Sequence, residues 1–326
     1  MTRVIDLEAG MAMVVTDLHG DWDAYQRYRD RFLALQANGR ADYLILTGDL
    51  IHHEGPEAAD KSLEIVLDVL ALRKVVGRQF IYLLGNHEMP HIYSITLAKG
   101  KHLYTPRFER AMGKHRVKIV NLFDSLPFYV RTQAGVTICH AGATAEAVTD
   151  QAVQTLFNFS HKWILKAAAA AIVEEERPSL REAIAQMSQQ SYDDIVREYF
   201  AITSSNDPRY DDFLIGTIAT RHHPYFELLW AALFTRNEEQ YSKDNYKIVV
   251  QGMLQAFSAD FHSQSVLVSG HMKCRTGYTL VNQYQLRIAS ATHAQPRKSG
   301  VYLLLDMEQK VKTAEDLLPQ LATVFS

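Results

Sequence analysis

Potential metal ligands recur along this 326-residue chain, each directly after a short apolar run. They lie in the sequences DLHG, TGDL, GNHE, ICHAG and SGHMK, and they comprise Asp17, His19, Asp49, Asn86, His140 and His271. Carboxylate, amide and imidazole ligands together suit Mn²⁺, Fe or Zn²⁺ better than Ca²⁺, which prefers oxygen alone. Because the set is too large for one ion, it predicts two divalent metal ions about 3.5–4 Å apart, with Mn²⁺ as the first choice and Fe or Zn²⁺ as alternatives.

Two such ions would favour hydrolysis at phosphorus. They lower the pKa of a bridging water molecule and stabilise the charge that develops on an attacked phosphate. Taken singly, each residue also has a structural explanation, since Asp17 could cap a helix, Asn86 could hold a turn and His140 could be a hydrogen-bonded core histidine. The ordered recurrence of these residues behind apolar runs favours the metal site.

The apolar runs predict buried strands that place these residues together. Strands are predicted at 12–17, 43–49, 80–87, 135–142, 265–271, 285–293 and 300–306. Helical periodicity at 23–39 and 55–77 alternates with the first of them. Because ligand sites of layered α/β proteins lie at the carboxyl ends of strands, the site is predicted at one edge of a sheet.

The segment from about 150 to 235 has a different character. It is rich in helix formers and lacks the strand-end ligands. We interpret it as a helical insertion, or cap, within a single domain of residues 1–326. Two roles for it stay open, namely structural packing and control of substrate access.

Bulk composition limits the possible partners. The net charge of -3 at pH 7 gives no global attraction to nucleic acid, so a nucleic-acid partner is not expected. No apolar run approaches the roughly 18 residues of a membrane span, and none is expected. Two distant cysteines and an N-terminus unlike a signal peptide predict a cytoplasmic protein with free thiols. The oligomeric state is not predicted.

The combination of DLHG, GDL, GNHE, CHAG and GH resembles the calcineurin-like metallophosphoesterase superfamily over most of the chain outside the insertion. It is most similar to the phosphoprotein (serine/threonine) phosphatase branch, because Lys273 replaces the second histidine of Gly-His-x-His and because residues 286–306 resemble that branch's strand, Ser-Ala turn and strand. The resemblance implies an α/β fold (α+β in some schemes), a four-layer αββα sandwich. It also implies a phosphoesterase that uses a metal-bridging hydroxide.

The resemblance also implies a role for each motif residue. One ion would be held by Asp17, His19 and Asp49. The second ion would be held by Asp49, Asn86, His140 and His271. His87 would contact the phosphate and protonate the leaving oxygen as the general acid.

The loop LTGDLIHHEG, residues 46–55, departs from the branch's usual Gly-Asp-x-x-Asp-Arg-Gly-Pro. It has one extra residue and lacks the arginine, whose bidentate grip on phosphate imidazole cannot reproduce. His52 or Glu54 would instead orient His87, and His53 would be a weaker phosphate donor. Alternatively, one or both loop histidines point to solvent.

Other cations could bind the phosphate. Arg236 follows ELLWAALFT, which resembles the segment that carries a phosphate-binding arginine in the branch, although it could equally be a helix-end charge. Arg275, Lys273, Arg297 and Arg107 could also compensate for the missing arginine.

Three functions are therefore considered. The main prediction is a serine/threonine protein phosphatase-like phosphomonoesterase acting on a phosphorylated protein or a small-molecule phosphate. The missing arginine favours instead a phosphodiesterase or dinucleoside polyphosphate hydrolase. An inactive binding scaffold is the third, and the presence of every predicted metal ligand and of His87 argues against it.

Overall fold

Two large β-sheets form the centre of the computed structural model, which describes residues 2–99, 102–235 and 237–325. In chain order the strands are β1 (Val4–Leu7), β2 (Met11–Val15), β3 (Tyr43–Leu46), β4 (Phe80–Tyr82), β5 (Ala98–Lys99), β6 (His102–Leu103), β7 (Tyr129–Thr132), β8 (Val136–Ile138), β9 (Val266–Ser269), β10 (Tyr278–Asn282), β11 (Gln285–Ile288), β12 (Val301–Asp306) and β13 (Leu321–Thr323).

Helices lie between many of these strands. In chain order they are α1 (Trp22–Ala37), α2 (Ser62–Val76), α3 (Met89–Tyr93), α4 (Tyr104–Met112), α5 (Arg116–Asp124), α6 (Asp150–Phe157), α7 (His161–Ala171), α8 (Arg177–Ser188), α9 (Tyr192–Phe200), α10 (Asp212–His222), α11 (Pro224–Leu233), α12 (Asn237–Gln240) and α13 (Lys243–Ala256).

Both large sheets contain a parallel core. One sheet has the strand order β1-β7-β8-β9-β11-β10, and β8, β9 and β11 in it are parallel neighbours. The other has the order β13-β12-β2-β3-β4, and β2, β3 and β4 in it are parallel neighbours. Parallel strands bring their carboxyl ends to one edge, so the loops after β2, β3 and β4 lie side by side.

The central strands are largely apolar because both faces of each sheet are covered. Along β2, Ala12 and Val14 pack in the cluster between the two sheets, whereas Met13 and Val15 pack in the cluster that includes the helices. Helices α1 and α2 cover one sheet, and α13 covers the other. This arrangement confirms the predicted α/β fold with four αββα layers.

The seven predicted strands are present as β2, β3, β4, β8, β9, β11 and β12, but most end earlier than predicted. β3 ends at Leu46, because the polar residues that follow form turns; Asp49, for example, has a left-handed φ of 53°. The predicted helix at 23–39 is α1, whose N-cap Asp21 accepts a hydrogen bond from Ala24 N. The prediction at 55–77 holds from Ser62, where α2 begins.

Helices α6 to α11 occupy the segment from Asp150 to Leu233. Part of it has a core of its own, which contains Ile172, Ile184, Ile195, Phe200 and Leu214. Helix α10 packs against α3, the helix that directly follows the GNHE sequence. The division into a single domain with an inserted cap stays a prediction.

Within the described ranges, no helix combines the length and the apolar character that crossing a membrane requires.

Candidate metal centre

Backbone hydrogen bonds hold the loops after β2 and β3 together. The amides of Leu18 and His19 both donate to the carbonyl oxygen of Asp49, at 2.9 Å each. A glycine at position 48 permits the next contact, because Gly48 has φ of 104° and a Cβ there would lie 2.7 Å from Gly85 Cα. The three motif loops therefore converge on one point.

The side chains that meet there start from unusual backbone conformations. Asp17, His19, Asp49, His52 and His271 have φ values of 29°, 42°, 53°, 71° and 69°. Non-glycine residues rarely adopt this left-handed region, and each instance costs about 1–3 kcal/mol. Such a concentration of strain indicates that the fold directs these side chains toward one another for a function.

Four of the predicted ligands meet around His140, which is completely buried. Its Nε2 lies 3.0 Å from Asn86 Oδ1 and 3.1 Å from His271 Nδ1. The same nitrogen is 3.4 Å from Asp49 Oδ2. Its Nδ1 lies 2.9 Å from the carbonyl oxygen of Thr47, which fixes Nδ1–H as the donor and leaves Nε2 as the ligand atom.

A second donor group lies on the other side of Asp49. His19 Nδ1 is 3.2 Å from the carbonyl oxygen of Ile51, which leaves its Nε2 facing Asp49 Oδ2 at 3.8 Å. Asp17, His19 and His293 each offer a ligand atom within 4.8 Å of the other two. The predicted ligands of the first ion thus lie together, with one histidine that was not predicted.

His293 is that additional histidine, and it faces Asp17. Their Nδ1 and Oδ1 atoms are 3.7 Å apart, and both are buried without a hydrogen-bond partner among the described residues. Leaving such atoms unpaired costs about 1–3 kcal/mol each, and a cation between them would remove that cost. The sequence signal that could have identified it was the histidine of SATH, just after the Ser-Ala turn.

The charges of the metal-free cluster suit cations. Burial opposes ionisation of Asp49, but His140 and His87 outweigh it and hold the pKa of this carboxyl well below its usual range. Burial raises the pKa of Asp17 to about 6. Burial also lowers the pKa of His293 to about 2, so that its ring is the neutral form that binds metals. A shared carboxylate flanked by neutral imidazoles fits two divalent ions.

Glu88, the last residue of GNHE, holds the turn that contains Asp49. No role for it was predicted from the sequence. Its buried carboxylate accepts hydrogen bonds from the amides of Asp49 and Leu50 at 2.9 Å each, and from Tyr82 Oη at 2.7 Å. Burial and the nearby Asp49 raise the pKa of Glu88 to about 7. The residue therefore fixes the turn that presents Asp49.

His87 lies beside the donor groups. Its backbone amide donates to Asp49 Oδ1 at 2.9 Å, and its ring Nε2 lies 3.9 Å from Asp49 Oδ2. Its Nδ1 is 3.1 Å from Nδ1 of His52, which is buried and does not point to solvent. The structure thus places His52 where the prediction required a group that orients His87.

The rest of the HHEG sequence lies at the mouth of the site. The carboxylate of Glu54 pairs with Lys273 at 2.8 Å. His53 is partly exposed, accepts a hydrogen bond from Gly55 N at 2.9 Å, and lines a cavity of about 400 Å³ together with Arg297 and His293. A role for His53 as a phosphate donor stays a prediction.

The candidate arginines are less well placed. Arg275 is exposed and lines neither this cavity nor the adjoining one, as far as the described residues show. Arg297 pairs with Asp21 and Asp23. Arg107 donates to the carbonyl oxygens of His53 and Gly55 at 3.1 and 3.3 Å, so it holds the loop. Arg236 lies outside the described residues.

Comparison with known proteins gives the class of this chain. The family model of the calcineurin-like phosphoesterases matches residues 12–271. The chain therefore belongs to the calcineurin-like phosphoesterase family, which confirms the predicted superfamily and its metal-dependent phosphoester chemistry.

Solved structures are similar in fold at low sequence identity. A protein serine/threonine phosphatase from Saccharomyces cerevisiae is 12% identical, with a TM-score of 0.51, over 94% of this chain and 77% of that chain. A cold-active protein-tyrosine phosphatase from a psychrophilic Shewanella species is 14% identical, with a TM-score of 0.48, over 94% of this chain and 78% of that chain. No curated protein matches the chain.

Proposed function

We propose that this protein is a dimetal-dependent phosphomonoesterase of the serine/threonine phosphatase-like type. The observation that carries the proposal is the position of Asp49, which forms one donor group with His140 and His271 and lies 3.8 Å from Nε2 of His19, a member of the donor group with Asp17 and His293. One carboxylate common to two donor groups is the arrangement that two neighbouring divalent ions require.

Each side chain has a task in this reaction. One ion would be held by Asp17, His19, Asp49 and His293, and the other by Asp49, Asn86, His140 and His271. When bound, such ions supply Lewis acidity toward water and toward the phosphoryl group. His87 faces the same cluster through Nε2, where it would donate a proton to the leaving oxygen.

The mixed donor set favours Mn²⁺, with Fe or Zn²⁺ as alternatives. The proposed substrate is a phosphorylated protein or a small-molecule phosphate, in keeping with the name of the Saccharomyces phosphatase, whose fold is similar. We place the protein in the cytoplasm because Cys139 and Cys274 are both buried, free thiols.

One observation favours a second candidate, hydrolysis of a phosphodiester or a phosphoanhydride. A cavity of about 190 Å³ beside the cluster is lined by Glu54, Leu97, Tyr104 and several ligands, and its described lining contains no arginine or lysine. A monoester dianion requires more positive charge in its binding site than a diester monoanion does.

Parallel turnover assays distinguish these candidates. Metal-stripped protein is reloaded with Mn²⁺ and given 4-nitrophenyl phosphate, bis(4-nitrophenyl) phosphate, a phosphoserine peptide and a dinucleoside polyphosphate. We expect the monoester and the peptide to be hydrolysed faster than the other two, and faster diester or polyphosphate turnover would overturn the main proposal. No turnover by fully loaded protein would support the inactive scaffold.

A further inference from the structure

A chain of hydrogen bonds leads from His87 away from the metal cluster into the protein interior. His87 Nδ1 lies 3.1 Å from His52 Nδ1, and His52 Nε2 lies 2.9 Å from His91 Nε2. His91 Nδ1 lies 2.8 Å from Glu109 Oε1, and the other carboxylate oxygen accepts from Arg116 Nε at 2.7 Å. We use the term histidine relay for His52, His91 and Glu109.

The residues of the histidine relay are buried and inaccessible to water. His91 is fully buried, and His52 and Glu109 are 1% and 3% exposed. Tyr104 stacks on the ring of His52 with 5.4 Å between centroids, and Phe108 lies edge-on to both histidines of the relay. Buried hydrogen bonds are difficult to rearrange, because water cannot replace a broken partner.

The direction of each hydrogen bond, from donor to acceptor, can be worked out from Glu109, at the inner end of the relay. A hydrogen bond from His91 and the charge of Arg116 outweigh burial and lower the pKa of Glu109, so this carboxylate is ionised and can only accept. His91 Nδ1–H therefore donates to Glu109. The other oxygen of this carboxylate accepts from Arg116 Nε at 2.7 Å. In the direction that we propose, His91 Nε2 accepts from His52 Nε2, which lies 2.9 Å away.

The direction of the hydrogen bond between His52 and His87 follows from the one between His52 and His91. Burial keeps the pKa of His52 well below its usual range, which favours the neutral ring. With Nε2–H donated to His91, only Nδ1 of His52 remains as an acceptor. His87 must then carry its proton on Nδ1, which leaves Nε2 directed at the cluster.

We propose that the histidine relay fixes the ring orientation of the general acid His87 and keeps a proton on its Nδ1. His52, His91 and Glu109 are positioning residues, since none of them needs to touch substrate. With Nδ1–H of His87 donated to the relay, His87 acts as a general acid only when Nε2 carries a second proton. That proton passes from Nε2 to the leaving oxygen, and His87 is left with its single proton on Nδ1. The inference rests on the proposed function, which supplies the general-acid step.

Dependence on the leaving group tests this role. The leaving oxygen of phenyl phosphate needs a proton more than that of 4-nitrophenyl phosphate, so a misdirected general acid slows the phenyl ester selectively. Replacing His91→Leu should lower kcat for phenyl phosphate about 10–100-fold, and kcat for 4-nitrophenyl phosphate by no more than about threefold. His91→Gln keeps an acceptor for His52 and should restore most of the loss.

Phe108→Leu is the matched control, because Phe108 contacts both relay rings without hydrogen bonding to them. It should change both esters by the same factor. Equal losses for the two esters in His91→Leu, or a selective loss in Phe108→Leu, would overturn the proposal.

A spectroscopic measurement on the wild-type protein tests the relay without turnover. Long-range ¹H–¹⁵N correlation of histidine-labelled, Zn²⁺-loaded protein should show His91 protonated on Nδ1 and His52 protonated on Nε2, with signals assigned from His91→Gln and His52→Gln. A proton on Nδ1 of His52 would overturn the proposed polarity. If neither aryl ester is hydrolysed by wild-type protein, the proposed function fails, whereas the tautomers still decide the relay.

Discussion

Two buried histidine clusters meet at His87, and they differ in whether their polar atoms have partners. In the histidine relay, each ring nitrogen of His52 and His91 has a neighbour within 3.1 Å. In the metal cluster, Asp17 Oδ1 and His293 Nδ1 are buried without a hydrogen-bond partner among the described residues. Since an unpaired buried polar atom destabilises the fold, a bound cation would stabilise the metal cluster, whereas the ring nitrogens of the relay already have partners.

The two clusters also differ in their backbone. Metal-cluster residues Asp17, Asp49 and His271 lie in loops with left-handed φ values, and so does His52 of the relay, whereas His91 and Glu109 lie within the helices α3 and α4. The strained backbone is therefore concentrated around the donor groups and His52, next to His87. Regular helices suffice for the contacts at the inner end of the relay.

The largest expected effect is that of Asp49→Asn, which removes the charge shared by both donor groups. We expect each ion to bind more than about 100-fold more weakly, and turnover to be abolished. Metal stoichiometry after dialysis and kcat with saturating Mn²⁺ measure the two effects. Asp150→Asn, at the exposed start of α6, is the control, and a fully active Asp49→Asn protein would contradict the shared-ligand assignment.

His87→Asn tests the junction of the clusters. The variant should retain both ions, because the metal ligands around it are intact, while kcat falls about 10²–10⁴-fold through loss of the general acid. Measuring kcat together with metal content separates these effects. Loss of an ion from the variant, or wild-type kcat, would show that His87 has another role.

His293→Ala tests whether His293, whose Nδ1 faces Asp17 Oδ1, is a metal ligand. We expect the affinity for one ion to fall about 10–100-fold, with the other ion unaffected. Calorimetric titration of metal-stripped protein with Mn²⁺ measures both sites without turnover. His53→Ala, which changes a histidine in the same cavity but outside the donor groups, should bind both ions normally. Unchanged binding in His293→Ala would remove this residue from the ligand set.

Much of the metal cluster could be predicted because its determinants are local. Strands such as β2 and β3 are apolar runs in the sequence, and the candidate ligands Asp17 and Asp49 follow them within a few residues. Both residues could therefore be predicted from their position in the sequence. His293 was missed because its loop carries no ligand at the expected spacing. Only the fold shows that this loop brings His293 within 3.7 Å of Asp17.

The relay could not be predicted in the same way. Its members come from a loop and two helices, and their contacts join residues separated by 18 to 39 positions. No periodic pattern marks a buried histidine in a short helix, and His91 and Glu109 are ordinary residues in the sequence of their helices. Tertiary packing alone brings them together. The same packing buries His52, which excludes the alternative that this histidine points to solvent.

The smallest expected effect concerns the inner end of the relay, where Glu109→Gln keeps the shape but removes the charge. Burial opposes ionisation of Glu109, but His91 and Arg116 outweigh it and lower the pKa of the carboxyl below its usual value. A lowered pKa in the folded state contributes stability above the unfolded pKa of about 4.3, and this contribution is lost as the pH falls through the folded pKa.

Metal-free Glu109→Gln protein should therefore be about 1–2 kcal/mol less stable than wild type at pH 7. The difference should shrink below about pH 4, where the wild-type carboxyl also becomes protonated. Urea unfolding at a series of pH values measures it, and Glu146→Gln, at an exposed position, should show almost no difference at any pH. A pH-independent difference would mean that Glu109 stabilises the relay through its shape and packing and not through its charge.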